Sequence, residues 1–156
     1  MGIHYAQLEN NALKLINCDK LESVKAQVSD LHFDKKIRKL FIGTFLRGIM
    51  VYDMNTKSVI RPDYKLKDIS ITRFKPLNDK ELLIATDGGG VHKINMDTYQ
   101  IVPEIVADYN SNCGMNGNSI NDIFVDDEER IWLANYKTTV IRATNGLSTP
   151  SATNSL

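Results

Sequence analysis

The chain is poor in the residues that announce most chemistries. Its 156 residues hold two cysteines, Cys18 and Cys113, three histidines, His4, His32 and His92, and a single tryptophan, Trp132. Two cysteines in unlike positions make neither a disulfide framework nor a zinc ligand set, so free thiols are expected, with pairing open only in an oxidising compartment. The histidines lack any His-x-Glu-x-His spacing, and no metal or other cofactor is expected. The acidic run Asp126 to Glu129 lacks the glycine kink and alternating oxygen ligands of a calcium loop and reads as a solvated turn. No run of about 18 apolar residues is present and no charged-then-apolar leader opens the chain, so neither a membrane span nor a secretion signal is expected in this stretch. An excess of one charge is missing as well. Nineteen basic and nineteen acidic residues cancel and are interspersed, which leaves no phosphate-tracking stripe and argues against nucleic acid as a partner.

What the chain does have is repetition. The stretch LLIATDGGGVHKIN, from Leu82, resembles a phosphate loop until its continuation is read. A phosphate loop needs glycines that open a helix and a lysine at the loop's end. Here Val91-His92-Lys93-Ile94-Asn95 alternates like a strand, so the glycines mark a hairpin turn. Leu-Phe-Ile-Gly-Thr at Leu40 and Ile-Trp-Leu-Ala-Asn at Ile131 repeat the first strand, and Gly2-Ile3-His4 matches Gly90-Val91-His92. Thr44, Thr86 and Asn135 then fall 42 and 49 residues apart. A period of roughly 40–50 residues built from strands alone points to a propeller of four-stranded antiparallel blades. The longer interval accommodates an Asn-, Gly- and Ser-rich insertion from Ala107 to Ser119.

The expected fold is therefore all-β, a partial β-propeller of about three to four blades, two complete and two partial. The propeller array spans 1–146, as a partial blade over 1–18, blades over 28–60 and 69–105, and a partial blade over 118–146. Residues 147–156 read as a flexible tail. Within each repeat, strands a to d run from the inside outwards. The first whole repeat has Val28–Phe33, Leu40–Thr44, Gly48–Asp53 and Ser58–Ile60, and the second Ile69–Lys75, Leu82–Thr86, Gly90–Asn95 and Tyr99–Val102. The last has Ile120–Val125, Ile131–Ala134 and Thr139–Ala143 with a weak or absent outer strand, whereas Ile3–Leu8 and Ala12–Asn17 are outer strands without an inner pair. Apolar b strands without strict alternation fit sheets covered on both faces, and Trp132 is assigned to that inter-blade core.

Two full and two partial blades do not close a ring, since propellers usually need about four to eight. Open strand edges and apolar blade faces drive association, so self-association is expected, for instance with the unfinished last blade of one copy completed by Ile3–Asn17 of another. A start in mid-blade equally suggests a piece of a longer protein.

The stretch NSINDIFVDDEERIWLANYKTTVIRA carries a family resemblance. Asn118-Ser119, Ile120, Ile123, Asp126 and Ile131-Trp132-Leu133-Ala134-Asn135 fill the places of the two-component regulator propeller repeat, and LFIGTFLRGIMVYD and LLIATDGGGVHKIN match its Gly-Thr and following Gly positions. The chain departs from that pattern at Glu-Glu-Arg before Ile131 and at Ala-Asn in the last repeat. The resemblance implies a hybrid two-component sensor whose periplasmic blades sense oligosaccharides, with a histidine kinase elsewhere in the parent. It implies a non-enzymatic role for this segment, a periplasmic location as part of an inner-membrane protein, and no membrane contact of its own. Propeller ligands sit on the face formed by d–a and b–c loops. Phe45, Leu46, Arg47, Asp87, Tyr136 and Lys137, with the Asp108–Asn118 loop nearby, are therefore the candidate contacts, and Arg47, Asp87, Tyr136 and Lys137 form the expected ligand set. Such residue types satisfy sugar hydroxyls and stack on sugar faces. A protein-interaction scaffold would use the same loops. A propeller lyase would need convergent histidines or carboxylates, and His4 and His92 share one position on strand c while His32 stands alone on strand a.

Overall fold

A computed structural model describes residues 3–16, 24, 26–62, 66, 68–107, 115, 117–136 and 138–143. Cys18, Cys113, Lys137, the 147–156 tail and any outer strand of the last blade lie outside these residues.

The chain is all-β, a partial β-propeller. Strands β1 (Tyr5–Glu9) and β2 (Ala12–Ile16) form a hairpin. Strands β3 (Val28–Asp34), β4 (Lys39–Thr44), β5 (Ile49–Asp53) and β6 (Ser58–Ile60) pair in chain order as blade I. Strands β7 (Ser70–Pro76), β8 (Glu81–Asp87), β9 (Val91–Asn95) and β10 (Ile101–Ile105) form blade II in the same order. Strands β11 (Ile120–Val125), β12 (Ile131–Asn135) and β13 (Thr138–Ala143) form blade III. All pairings are antiparallel.

Turn chemistry explains where the strands stop. Asn10 and Asn11 take φ of 51° and 62°, so the β1–β2 turn has the doubly left-handed geometry that matches strand twist, and asparagine tolerates it. Asp34 opens the first a–b turn by accepting from the amides of Lys36 and Ile37. Asn78 does the same for Lys80 and Glu81, and Asp126 for Glu128 and Arg130. The c–d turns use Asp53 and Asn95 in that role. Asn95 displaces one expected boundary. Tyr99, read as a strand residue, sits at φ 61° with its amide donating to the Asn95 carbonyl, and β10 begins two residues later.

Alternation along the b and c strands sorts side chains between two faces, and every face between described sheets is apolar. Phe41, Ile49 and Val51 of blade I pack with Ile71, Phe74, Leu82, Ile84, Ile94, Met96 and Ile101 of blade II. Leu83, Ala85 and Val91 of blade II pack with Ile120, Ile123, Ile131 and Leu133 of blade III. Ile3 packs with Ile42, Met50 and Tyr52 of blade I, beside Val24 and Ala26. Burying side chains of this size contributes roughly 1.5–3 kcal/mol each, so inter-blade packing is the main source of stability. Gly43 lets blade II approach closely, because a Cβ there would meet Ile71 Cγ2 at 2.8 Å.

Trp132 departs from its assignment to the core. It is half-buried, and its Nε1–H donates to Asp126 Oδ2 at 2.7 Å. It occupies the inter-blade face, but that face of blade III carries no further described sheet, so its edge meets a carboxylate instead. Leu31 and Phe33 on β3 are exposed for a related reason: among the described residues, the hairpin beside blade I has no inner strand to lie over β3.

Candidate functional site

The b–c turns are built alike in blades I and II. Thr44 closes the first, its hydroxyl donating to the Gly48 carbonyl at 2.7 Å, and Thr86 closes the second on Gly90 at the same distance. Both threonines are buried, which explains why a hydroxyl-bearing β-former recurs there. In blade III, Asn135 takes the position, and its side-chain amide donates to the Gly117 carbonyl, which anchors the preceding segment.

These turns are stitched to the starts of the a strands. The Phe45 amide donates to Gln27, the Gly48 amide to Ile69 and the Leu46 amide to the Ser70 hydroxyl. The amides of Gly88 and Gly90 both donate to the Asn118 carbonyl, Asp87 bridges Ser119, and the Tyr136 amide donates to Ser119. The result is one continuous edge running across the three blades. Asp87 and Tyr136 meet at Ser119, whereas Arg47 lies one blade away. All three are exposed, together with Phe45 and Leu46. Asn118 also accepts from the Ala107 amide through its side chain, which ties the first residue of the Asn-rich insertion to the same edge. Chemically, this edge offers a carboxylate, a guanidinium, a phenol and an aromatic ring.

Leu46 has a feature that sequence reading missed. It takes φ 54°, a left-handed conformation that is strained for a branched side chain. By turn position it corresponds to Gly88, which sits at φ 94°.

A second cluster, also missed, lies on the innermost strands. Asp30, Arg73 and Asp122 occupy one repeat position, opposite Gly43, Ala85 and Ala134 respectively, and each follows a bulge in its a strand. Arg73 Nε donates to Asp122 Oδ1 at 3.0 Å, and its Nη1 lies 3.6 Å from Asp30 Oδ1. Asp30 Oδ2 in turn accepts from the Phe74 amide at 2.6 Å. Each link crosses from one blade to the next. Aligning the a strands on their bulges would have exposed this Asp, Arg, Asp alternation, but the bulges themselves leave no mark in composition.

The histidines do not converge. His92 Nε2–H donates to the Gly89 carbonyl at 2.9 Å, and burial pushes its pKa down, partly opposed by that bond. Burial likewise lowers His32, against the pull of Asp34 and Asp30, and its ring stands 6.2 Å from that of Phe41. His4 is exposed on the terminal hairpin. Among the described residues, no cluster of three or more His, Cys, Asp or Glu could hold a metal ion, and no helix is long and apolar enough to cross a membrane.

Asp126 is the most strongly perturbed carboxylate. Its side chain is only 10% exposed. Burial opposes its charge, yet the Trp132 N–H, the Arg130 guanidinium and the Arg130 and Glu128 amides hold its pKa well below the usual 3.8. Its acidic run is thus a tightly bonded turn with one solvated side, which amends the expectation of a wholly solvated tip.

Stacked four-stranded antiparallel sheets of this kind define the β-propeller class, and comparison with solved structures gives the same fold. The extracellular domain of the hybrid two-component system BT3049 of B. thetaiotaomicron superimposes with a TM-score of 0.69 over 94% of this chain, at 22% identity and over 19% of its own length. That of BT4673, a one-component system from the same organism, gives 0.64 over 91% of this chain, at 21% identity and over 20% of its own length. Sqt1 of Saccharomyces cerevisiae gives 0.60 over 87%, at 18% identity and over 37% of its own length. The chain thus spans about a fifth of the bacterial domains it resembles. No protein-family model and no curated protein sequence matches it.

Proposed function

We propose that the chain supplies blades to the extracytoplasmic sensing region of a two-component signalling protein, and that its b–c loop edge contributes to binding an oligosaccharide. The observation that carries this reading is the likeness over 94% of the chain to an extracellular domain of such a system, joined to the repeat pattern in the sequence. The loop edge supports the ligand class. Asp87, Arg47 and the Tyr136 ring offer bidentate acceptors, donors and a stacking face for sugars, and Lys137 adds a further donor beside Tyr136 in sequence. The reading makes the segment a non-enzymatic, periplasmic part of an inner-membrane protein, divided as 1–18, 28–60, 69–105 and 118–146 with a tail beyond 146, and the kinase belongs to other parts of the parent.

A protein-interaction scaffold is the second reading, favoured by the exposed Phe45 and Leu46 beside the polar groups. A glycan-binding screen on the intact parent ectodomain separates the two. Binding that falls at least tenfold in Asp87→Ala and Tyr136→Ala, with folding unchanged, supports the oligosaccharide reading. Absence of any glycan dependence overturns it and leaves the scaffold.

A further inference from the structure

The turn that presents Asp87 is held on two sides, and one residue joins them. Asp87 is followed by Gly88, Gly89 and Gly90, the kind of backbone with the most freedom to lose. On one side runs the end of blade II, where a Cβ on Gly90 would meet the Ile105 carbonyl oxygen at 2.4 Å and Val106 Cγ1 at 3.2 Å. On the other lies Asn118, whose carbonyl accepts from the Gly88 amide at 3.1 Å and the Gly90 amide at 2.8 Å. The Asn118 side chain links the two sides, its Oδ1 accepting from the Ala107 amide at 2.6 Å. A backbone N–H can donate only to the oxygen of a side-chain amide, so this bond also fixes which way that amide points. The residues flanking Asn118 are fastened to blade III, the Gly117 carbonyl accepting from Asn135 Nδ2 and the Ser119 carbonyl from the Tyr136 amide.

The junction of blades I and II has the same frame without the side-chain link. Ile69 precedes Ser70 as Asn118 precedes Ser119, and its carbonyl accepts from the Gly48 amide at 3.3 Å. Isoleucine offers no side-chain oxygen, and the turn it faces, Phe45-Leu46-Arg47-Gly48, has one glycine in place of three. The polar side chain and the glycine run thus occur together, at the junction where Asp87 and Tyr136 meet. All three glycine amides are committed within the protein, that of Gly89 to Thr86 Oγ1. The turn's own backbone therefore offers a ligand no glycine donor, and what it presents is the exposed Asp87.

We propose that Asn118 is the positioning residue of the loop edge: by bonding Ala107 it holds the glycine turn against the end of blade II and presents the Asp87 carboxylate, already ordered, beside Tyr136. A ligand then binds without having to order three glycines itself, which is how pre-organisation raises affinity. The ligand role rests on the oligosaccharide reading, and the clamp does not.

The test is amide hydrogen exchange, followed by NMR on the full chain, in Asn118→Ile, which restores the residue of the blade I–II junction, and in Asn118→Asp, which keeps a side-chain oxygen. Far-UV circular dichroism verifies folding, and Asn118→Ala replaces Asn118→Ile if that variant does not fold. In Asn118→Ile the Ala107 amide loses its acceptor, whereas the Gly88 and Gly90 amides keep theirs, a main-chain carbonyl. Exchange at both glycines should nonetheless rise about tenfold or more, and Asn118→Asp should hold it within about threefold of the unaltered chain. Unchanged exchange at the glycines in Asn118→Ile would make the Ala107 bond a local contact and overturn the proposal, as would equal acceleration in Asn118→Asp. The ligand arm uses the intact parent ectodomain on a printed array of neutral and acidic oligosaccharides, where Asn118→Ile should weaken binding about threefold or more. Glycan binding that Asn118→Ile leaves unchanged overturns the positioning role. An unaltered ectodomain that binds no glycan overturns the oligosaccharide reading instead, and the exchange result alone then decides the clamp.

Discussion

Two residues show how local backbone geometry sets opposite tolerances in corresponding turns. Gly90 has φ 77°, and a Cβ there would meet the Ile105 carbonyl oxygen at 2.4 Å. Backbone cannot move aside cheaply, so Gly90→Ala is expected to destabilise by about 2–4 kcal/mol in urea titration. Leu46 holds a left-handed conformation with an exposed side chain. Leu46→Gly relieves roughly 1–2 kcal/mol of strain against a comparable loss of chain stiffness, and stability should change by less than about 1 kcal/mol. A loss well above that would mean that the Leu46 side chain packs in a way its exposure does not suggest. Asp126 gives a third prediction. Its folded pKa is depressed, so its contribution is complete above the unfolded value near 3.8 and is lost as pH falls below it. Thermal melts of Asp126→Asn should therefore lie below those of the unaltered chain at pH 7 and converge with them towards pH 2.

At the scale of the element, turns and bulges matter more than strand propensity. The Thr86 hydroxyl is buried and its bond to Gly90 closes the b–c turn. Thr86→Val keeps the volume and removes the acceptor of the Gly89 amide, while the Gly90 carbonyl still accepts from the Thr86 amide, and should cost about 1–3 kcal/mol. The inner-strand cluster makes a sharper contrast. Asp30 is mostly buried and accepts from the Phe74 amide, whereas Asp122 is largely exposed and bonds only the Arg73 guanidinium among its cross-blade partners. Asp122→Ala should cost no more than about 1 kcal/mol and the effect should fade in 1 M salt. Asp30→Ala should cost about 1–3 kcal/mol with little salt dependence. Equal costs would mean that Arg73, and not the Phe74 amide, is the partner that matters. The strands were legible because each is bounded by a turn residue with one physical role: asparagine or aspartate folding back on amides, glycine at positive φ, threonine clamping a carbonyl. Tyr99 was misplaced because Asn95 imposes a turn that the aromatic residue's own preference for strands does not reveal.

For the molecule as a whole, stability resides between sheets, and the chain behaves as a linear array in which each sheet contacts its neighbours. The terminal hairpin shares a smaller cluster with blade I than blades I and II share with each other, so hydrogen exchange should be fastest in β1 and β2 and slowest in β4 and β8. Uniform protection across all sheets would contradict a stacked array. The loop edge joins Asp87 and Tyr136 through Ser119 because β8 and β12 run in the same sense in adjacent blades, a relation that no local pattern contains.

The sequence by itself determined the class of fold, the repeat and nearly every strand, because period-two alternation, turn residues and a spacing of 42–49 residues are local or periodic signals. It also pointed to the loops that form the exposed edge. Only the tertiary structure decided which side chains meet across blades: the Asp30, Arg73 and Asp122 chain, the approach of Ile71 to Gly43, and the Lys75 ammonium over the Phe124 ring. Those depend on the register and stacking of sheets far apart in sequence, and an apolar residue reads the same in a string of letters whether or not another sheet covers it.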